Sequence, residues 1–440
     1  MNPLRIAVLG GGIAGLTCAH RLARAGHRPV VYEAGSQVGG LGSAFEYEDA
    51  MIDRFYHVLL DSDADLVALL GELGIADRLV WAETDMGFLV EGRLYPFNTP
   101  KDLLAFSALA PLDRLRMGLA ALYVTTLKKN ALDLDNVTAQ QWLVRLFGRA
   151  VYDRIWDPLL AAKFGDQRSR VPAYWIWNTL NREKNGKQEV KGSLRGGYHG
   201  LAQTLVAAID SAGGQVLTGR RVTRVTVDAA GAAVTTADET GHFDRVVSTL
   251  APHLLRDVLD APSLAADAVP SIEYQGCVNA VVMMSRRLQP YYWTAVIDPR
   301  FAFQGVVETT HVVPLSETGG RHLAYLMNYC APGSEPYIRS DAQVEAQAVD
   351  GLSALYPDFD RGIVEGVRVF RAPAVEPVWT TGYLGRRPAP RVGSSALYLC
   401  TTAQAYPRVT AWNTSIALAR ETVDALLADA NARPGARLAA

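Results

Sequence analysis

The chain has 440 residues, enough for two domains or one large interleaved pair, and its 49% apolar and 20% charged composition leaves ample material for a core. A formal net charge of −2 provides no global field that would favour nucleic acid or an acidic membrane. Cys18, Cys277, Cys330 and Cys400 lie far apart without a C-x-x-C pair, which argues against a structural metal site or a disulfide framework and suits a reducing, cytoplasmic location.

No secretory leader is expected, because the apolar run 6–9 gives way at once to glycines. The stretch 117–127 (MGLAALYVTTL) is the longest uncharged candidate for membrane contact, and it is shorter than the roughly 20 apolar residues that span a bilayer. A soluble protein acting on a small molecule, without nucleic acid or a transmembrane segment, is the default; nothing in the sequence supports the alternative of peripheral membrane contact or sets an oligomeric state.

In chain order, residues 1–60 read as strand, glycine turn, helix, strand and an irregular glycine loop. Residues 61–190 carry mainly helical signals, including a T-x-x-Q capping box at Thr138 and Gln141, with prolines separating the helices. Next come a short helix over 201–209 and strands over 220–227, 234–237 and 246–249. The β-rich part comes after these, with strands over 278–284, 323–329 and 366–370; a last strand over 396–400 precedes an apolar helix over 412–427. The tail 431–440 reads as frayed.

The most informative stretch is 5–33, RIAVLGGGIAGLTCAHRLARAGHRPVVYE. A strand runs into G-x-G-x-x-G: Gly10 for the tight turn, Gly12 for close approach of a pyrophosphate, Gly15 for helix–strand packing. Ile13 and Ala14 open a helix whose free N–H groups face that phosphate. A second strand ends at Glu33, whose carboxylate can accept both hydroxyls of an adenosine ribose and disfavours a 2′-phosphate. These residues alone indicate an ADP-containing dinucleotide, NAD or FAD.

The loop after Glu33 narrows the choice. Ala34-Gly-Ser-Gln-Val-Gly39-Gly40-Leu41-Gly42 resembles the loop of the flavin-containing amine oxidase and protoporphyrinogen oxidase-like superfamily. Similar to family segments are Gly196-Gly197-Tyr198 ahead of a helix, Arg221-Val222-Thr223, Val246-Val247-Ser248-Thr249 and the stretch 397–407. The resemblance implies an α/β fold: a Rossmann-like FAD-binding domain assembled from 1–60, 191–262 and 385–430, a helical subdomain over 61–190, and a β-sheet substrate domain over 263–384 with α+β character. It implies FAD as cofactor, held by Gly10, Gly12, Ile13, Ala14, Gly15, Glu33, Ala34, Gly39, Gly40, Leu41, the Val222 backbone, Thr249, Thr401, Thr402, Trp412 and Asn413. Two positions depart from the family pattern. Leu41 stands where arginine is usual, and Cys400-Thr401-Thr402 where Gly-Asp is usual. There is no second G-x-G-x-x-G, so a built-in NADPH domain is not expected.

The resemblance also implies a reaction site. His57, Arg54 and Tyr56 come after the Gly-Gly loop, where the chain turns towards the isoalloxazine; the alternative is that Arg54 pairs with an acid and His57 packs. Tyr406 and Trp412 are expected at the other edge, though Trp412 could simply open the last helix. The lysine that amine oxidases place near the flavin has no position-matched counterpart, and Lys163 reads as a snorkelling surface residue. Tyr174, Trp175, Trp177, Tyr291, Tyr292 and Trp293 are candidates for a substrate cavity, and 182–191 for a solvated loop.

The implied activity is hydride transfer from a small organic substrate to FAD. One rival resembles UDP-galactopyranose mutase, with Arg286, Arg287, Arg368 and Arg371 available for a diphosphate. A flavin-lacking binding protein is the other.

Overall fold

The computed structural model describes residues 2–182, 189–262, 264–265, 267–288 and 290–432. Strand β1 (Arg5–Leu9), helix α1 (Ile13–Arg24) and strand β2 (Arg28–Tyr32) form a parallel βαβ unit, Ala7 pairing with Val30 and Leu9 with Tyr32. Apolar residues at the spacing of a helix stripe, Leu16, Ala19, Leu22 and Ala23, bury one face of α1. The other strand neighbours of this unit come from far along the chain. The sheet runs Leu397–Leu399, Arg245–Ser248, β1, β2, Gln215–Leu217, every pair parallel. Long helices Gly197–Ser211 and Trp412–Ala432 pack on α1.

A seven-stranded sheet forms the second layer, in the order Val364–Pro377, Tyr274–Met284, His322–Cys330, Gly305–Glu308, Trp293–Val296, Met86–Val90, Arg93–Pro96. Its strand Tyr274–Met284 is buried at every position, so both of its faces are covered. Between the two sheets, the short hairpin Ala44–Tyr47 and Ala50–Asp53 leads from the glycine loop towards the larger sheet.

The element types expected from the sequence are present, with bounds that shift by a few residues: the helix expected over 201–209 spans Gly197–Ser211, and the strand expected over 323–329 spans His322–Cys330. The Thr138 capping box is formed, with Gln141 N donating to Thr138 Oγ1 at 3.2 Å. Three expectations need correction. The stretch 61–190 is not wholly helical, because Leu79–Thr84, Met86–Val90 and Arg93–Pro96 are strands. The last two form a hairpin whose turn, Glu91-Gly92, has both φ positive, as a tight two-residue turn demands. The strand expected over 220–227 is only Arg224–Val227, so Val222 lies before it in irregular backbone. Within 182–191, Arg182 ends the helix Ala173–Arg182, and Lys191 lies on the strand Glu189–Leu194; residues 183–188 lie outside the described residues.

Gly10 and Gly15 show why the turn between β1 and α1 tolerates no side chain. Gly10 has φ +104°, and a Cβ there would lie 2.5 Å from Thr249 Oγ1. A Cβ on Gly15 would overlap the Gly10 carbonyl oxygen, with Val8 on the other side. Gly15→Ala should therefore force helix and strand apart, at a cost of about 3 kcal/mol or more. A urea midpoint unchanged from the parent would refute this.

Candidate functional site

Two glycine loops meet backbone to backbone. Gly39 N donates to Gly11 O at 2.8 Å, Gly12 and Gly39 form an isolated parallel bridge, and Gly40 Cα lies 4.0 Å from where a Gly12 Cβ would stand. Gly39 and Gly40 have φ +112° and +58°, which favours glycine at both. Beside this contact α1 begins at Ile13 with no side-chain cap and no acid in its first turn. Its N–H groups are thus left for an anion.

Glu33 closes the outer end. Its Oε2 accepts from Gly11 N at 2.8 Å and its Oε1 from Gly35 N at 2.7 Å, which pins the carboxylate next to the glycine turn. Arg220 N donates to Glu33 O, and Gly219 N to Gly35 O, so the segment leading to Val222 lies alongside. Ala34 is exposed here.

From the glycine loops a cavity of about 390 Å³ extends between the two sheets. Its near wall takes Gly12, Ile13, Ala14, Gly39, Leu41 and Thr249. Thr401, Thr402 and Trp412 join it from the C-terminal segment. Thr249 Oγ1 donates to Leu9 O at 2.8 Å, holding the ends of two neighbouring strands together. Thr401 caps the short turn Thr402–Gln404, and Tyr274 Oη lies 3.2 Å from Thr402 Oγ1. Where an acid is usual in the family, this wall presents hydroxyls.

The far wall is built by Tyr56, Tyr292, Trp293 and Tyr329, with Cys277, Asn279 and Met327 from the buried strands, and His57 joins the lining beside Trp412. His57 Nδ1 lies 3.0 Å from Phe55 O, so Nδ1 carries the hydrogen and Nε2 is left as the acceptor. Its ring packs against Tyr198 and Trp412, with centroids at 4.8 and 5.5 Å. Burial pushes the imidazole down to about 4, so it is neutral near pH 7.

Arg54 points elsewhere. Its guanidinium lies over the Phe370 ring at 5.6 Å, and its carbonyl accepts from Asn279 Nδ2 at 2.8 Å. Asn413 accepts from Leu66 N at 2.9 Å, and Tyr406 donates to Asp135 at 2.6 Å; neither lines the cavity. Of the expected aromatic cluster, Tyr292 and Trp293 reach the cavity, whereas Tyr174, Trp175, Trp177 and Tyr291 do not.

Lys163 is not a surface residue reaching for water. It lines the cavity, its Nζ 3.5 Å from Glu376 Oε2 and 5.0 Å from the Trp175 ring. Burial raises the Glu376 carboxyl and the lysine beside it pulls it back. Arg182 and Lys191 also reach the cavity, paired with Asp63 and Glu189. Residue type does not reveal the roles of Lys163 and Arg182, because their partners Glu376 and Asp63 lie far away along the chain. Arg286, Arg287, Arg368 and Arg371 do not converge: none lines the cavity, and Arg371 is held by Asp341 and two carbonyls.

A match to the family model of flavin-containing amine oxidoreductases spans residues 13–411. The chain belongs to the flavin-containing amine oxidoreductase family. Its cofactor is FAD, and the family makes it an FAD-dependent oxidoreductase. It is 27% identical over 235 residues to 15-cis-phytoene desaturase of Synechococcus elongatus, a match covering 49% of each chain. It is 24% identical over 196 residues to mitochondrial protoporphyrinogen oxidase of Nicotiana tabacum, over 43% of this chain and 39% of that one. The matched region thus spans about half the length, or less, of these curated relatives. Reduced UDP-galactopyranose mutase has the same fold, with TM-score 0.76 at 15% identity over 98% of this chain and 95% of that one.

The residues present suit FAD. Gly12 faces the cavity, and a Cβ there would meet nothing nearer than the Gly40 backbone at 4.0 Å, so the space beside the helix start is open. Gly12→Val should therefore keep the fold while filling that space. Its far-UV circular dichroism should match the parent, with FAD occupancy reduced roughly tenfold or more. Normal occupancy would show that the cofactor lies elsewhere.

A smaller cavity, of about 230 Å³, shares Tyr56 and His57 with the first and contains Asp53. Burial raises the Asp53 carboxyl to about 7, against backbone N–H groups of Tyr198 and His199 that lower it. A raised acid contributes stability below its unfolded value of 3.8 that is lost as pH rises towards 7. His57 acts oppositely: its contribution is present above 6.5 and lost as pH falls towards 4. Asp53→Asn should remove the first loss, so that urea midpoints decline less between pH 4 and 7. An unaltered pH profile would exclude Asp53 as its source.

Proposed function

We propose that this protein dehydrogenates an apolar organic substrate, forming a carbon–carbon double bond, with the substrate held across the aromatic cavity from the glycine loops. The observation that carries this reading is the continuity of one cavity from Gly12 and Gly39 to Tyr292, Trp293 and Tyr329. Such walls hold apolar surface and exclude water. The desaturase activity named for the Synechococcus relative supports the same reaction class. The cationic side chains at the wall are each paired with an acid, which removes the free charge that an anionic substrate would need.

Bound FAD supplies the hydride acceptor. In our assignment, Gly10, Gly12, Ile13, Ala14 and Gly15 hold its diphosphate, with Gly39, Gly40 and Leu41 closing the opposite side. Glu33 receives the ribose hydroxyls, beside Ala34 and the Val222 backbone. Thr249, Thr401, Thr402 and Trp412 border the rest. Tyr56 and His57 face the substrate, and His57 Nε2, unprotonated at neutral pH, accepts the proton released as the double bond forms. Asn279 holds the Arg54 carbonyl, setting the backbone that carries Tyr56 and His57.

The test is anaerobic mixing of the FAD-loaded protein with 15-cis-phytoene and, separately, with putrescine. Bleaching of the flavin band by phytoene alone supports the proposal; bleaching by the diamine alone overturns it. His57→Gln should lower kcat by about 10²-fold or more if the imidazole moves the proton. The parent's rate should fall only as pH drops through about 4, where His57 protonates. An acid limb near the ordinary histidine value would rule out this assignment.

A further inference from the structure

The helix Pro111–Leu122 is apolar on both sides. One face, with Met117 and Ala120, continues through Val124 into the core. The opposite face carries Leu112, Leu115, Leu119 and Leu122 at i, i+3, i+7 and i+10, exposed by 76, 56, 59 and 58%. Tyr123 and Leu127 extend the ridge through the following turn, and Leu104 and Leu132 flank it. Eight of the fourteen exposed large apolar side chains among the described residues fall within residues 104–132. A water-facing helix surface usually carries charge, and a contiguous apolar patch of this kind marks a contact with something else.

The charges around the ridge identify the occupant. Residues 100–133 hold five basic side chains, Lys101, Arg114, Arg116, Lys128 and Lys129, against Asp102, Asp113 and Asp133, within a chain of net charge −2. Lys128 is paired with Asp133 at 3.1 Å, which leaves Lys101, Arg114, Arg116 and Lys129 as the basic fringe. Arg114 and Arg116 are directed at carbonyl oxygens, Leu109 O and Leu146 O among them, so their charge is left to the surroundings. Lys101 and Lys129 are exposed. A second copy laid face to face on this ridge would bring like charges together. An anionic bilayer surface satisfies both halves of the pattern: leucines enter the acyl boundary while the basic fringe meets headgroups.

We propose that this ridge docks the protein on a bilayer containing anionic lipid, without crossing it. No helix of the described residues is long and apolar enough to span. The ridge also lies close to the cavity in the fold. Trp177 Nε1 donates to Lys128 O at 3.1 Å and Asn181 Nδ2 to Val124 O at 3.4 Å, and their helix, Ala173–Arg182, ends at the cavity residue Arg182. This docking does not depend on the identity of the substrate.

The full-length FAD-loaded chain is sedimented with vesicles of phosphatidylcholine alone and of phosphatidylcholine mixed with phosphatidylglycerol. Binding to the mixed vesicles is expected, weaker in high salt and roughly tenfold weaker for the combined variant Leu115→Glu, Leu119→Glu, Leu122→Glu. That variant replaces only exposed side chains, so its circular dichroism and flavin band should match the parent. Lys101→Gln with Lys129→Gln should reduce the preference for phosphatidylglycerol. Parent protein left in the supernatant with both vesicles would overturn the proposal. So would equal pelleting of the glutamate variant, or a parent dimer that this variant dissociates without any vesicle binding.

Discussion

The structure turns on a contact between two stretches of bare backbone. Gly39 N–H bonds to the Gly11 carbonyl, and a Cβ on Gly40 would lie only 3.3 Å from Gly12 Cα, so Gly40 has to stay bare. That one contact sets the distance from the start of α1 to the loop after β2, and hence the width of the slot that we assign to the FAD diphosphate. Everything downstream inherits it. The hairpin Ala44–Tyr47 and Ala50–Asp53 leaves from this loop, and its second strand leads into residues 55–57 of the cavity lining.

The two ends of the cavity are stabilised differently. At the glycine end, polar backbone groups are held by each other and by Glu33. Elsewhere along the cavity, rings pack on rings, and cationic side chains are neutralised by partners at the wall. An environment of the second kind suppresses ionisation. It keeps His57 neutral and raises Asp53, so the region behind the aromatic wall carries less charge at neutral pH than its residue types suggest.

The βαβ unit was legible in the sequence because its signals are local: strand, glycines, helix stripe and terminal acid arrive in order within 5–33. The hairpin at Met86–Val90 and Arg93–Pro96 was also marked locally, by Glu91-Gly92, but lay among stronger helical signals. The far wall was hidden for a different reason. Strand Tyr274–Met284 is buried on both faces, so no polar–apolar alternation distinguishes the side bearing Cys277 and Asn279 from the other. Lys163 looked like a surface residue because its partner, Glu376, belongs to a strand far along the chain. Arg54 and Asn413 lie close in sequence to cavity residues, yet their side chains turn to Phe370 and Leu66 N.

The parallel sheet under the site has a consequence for how the molecule is made. Its strands β1 and β2 leave the ribosome well before Leu397–Leu399, the strand that pairs with Arg245–Ser248. Thr401, Thr402 and Trp412, which line the cavity, come later still. The glycine turn can thus form while the chamber it opens into stays unfinished until Trp412 has emerged. Such long-range pairing folds slowly, and until it closes the nascent protein displays a sheet edge and apolar surface that chaperones must guard.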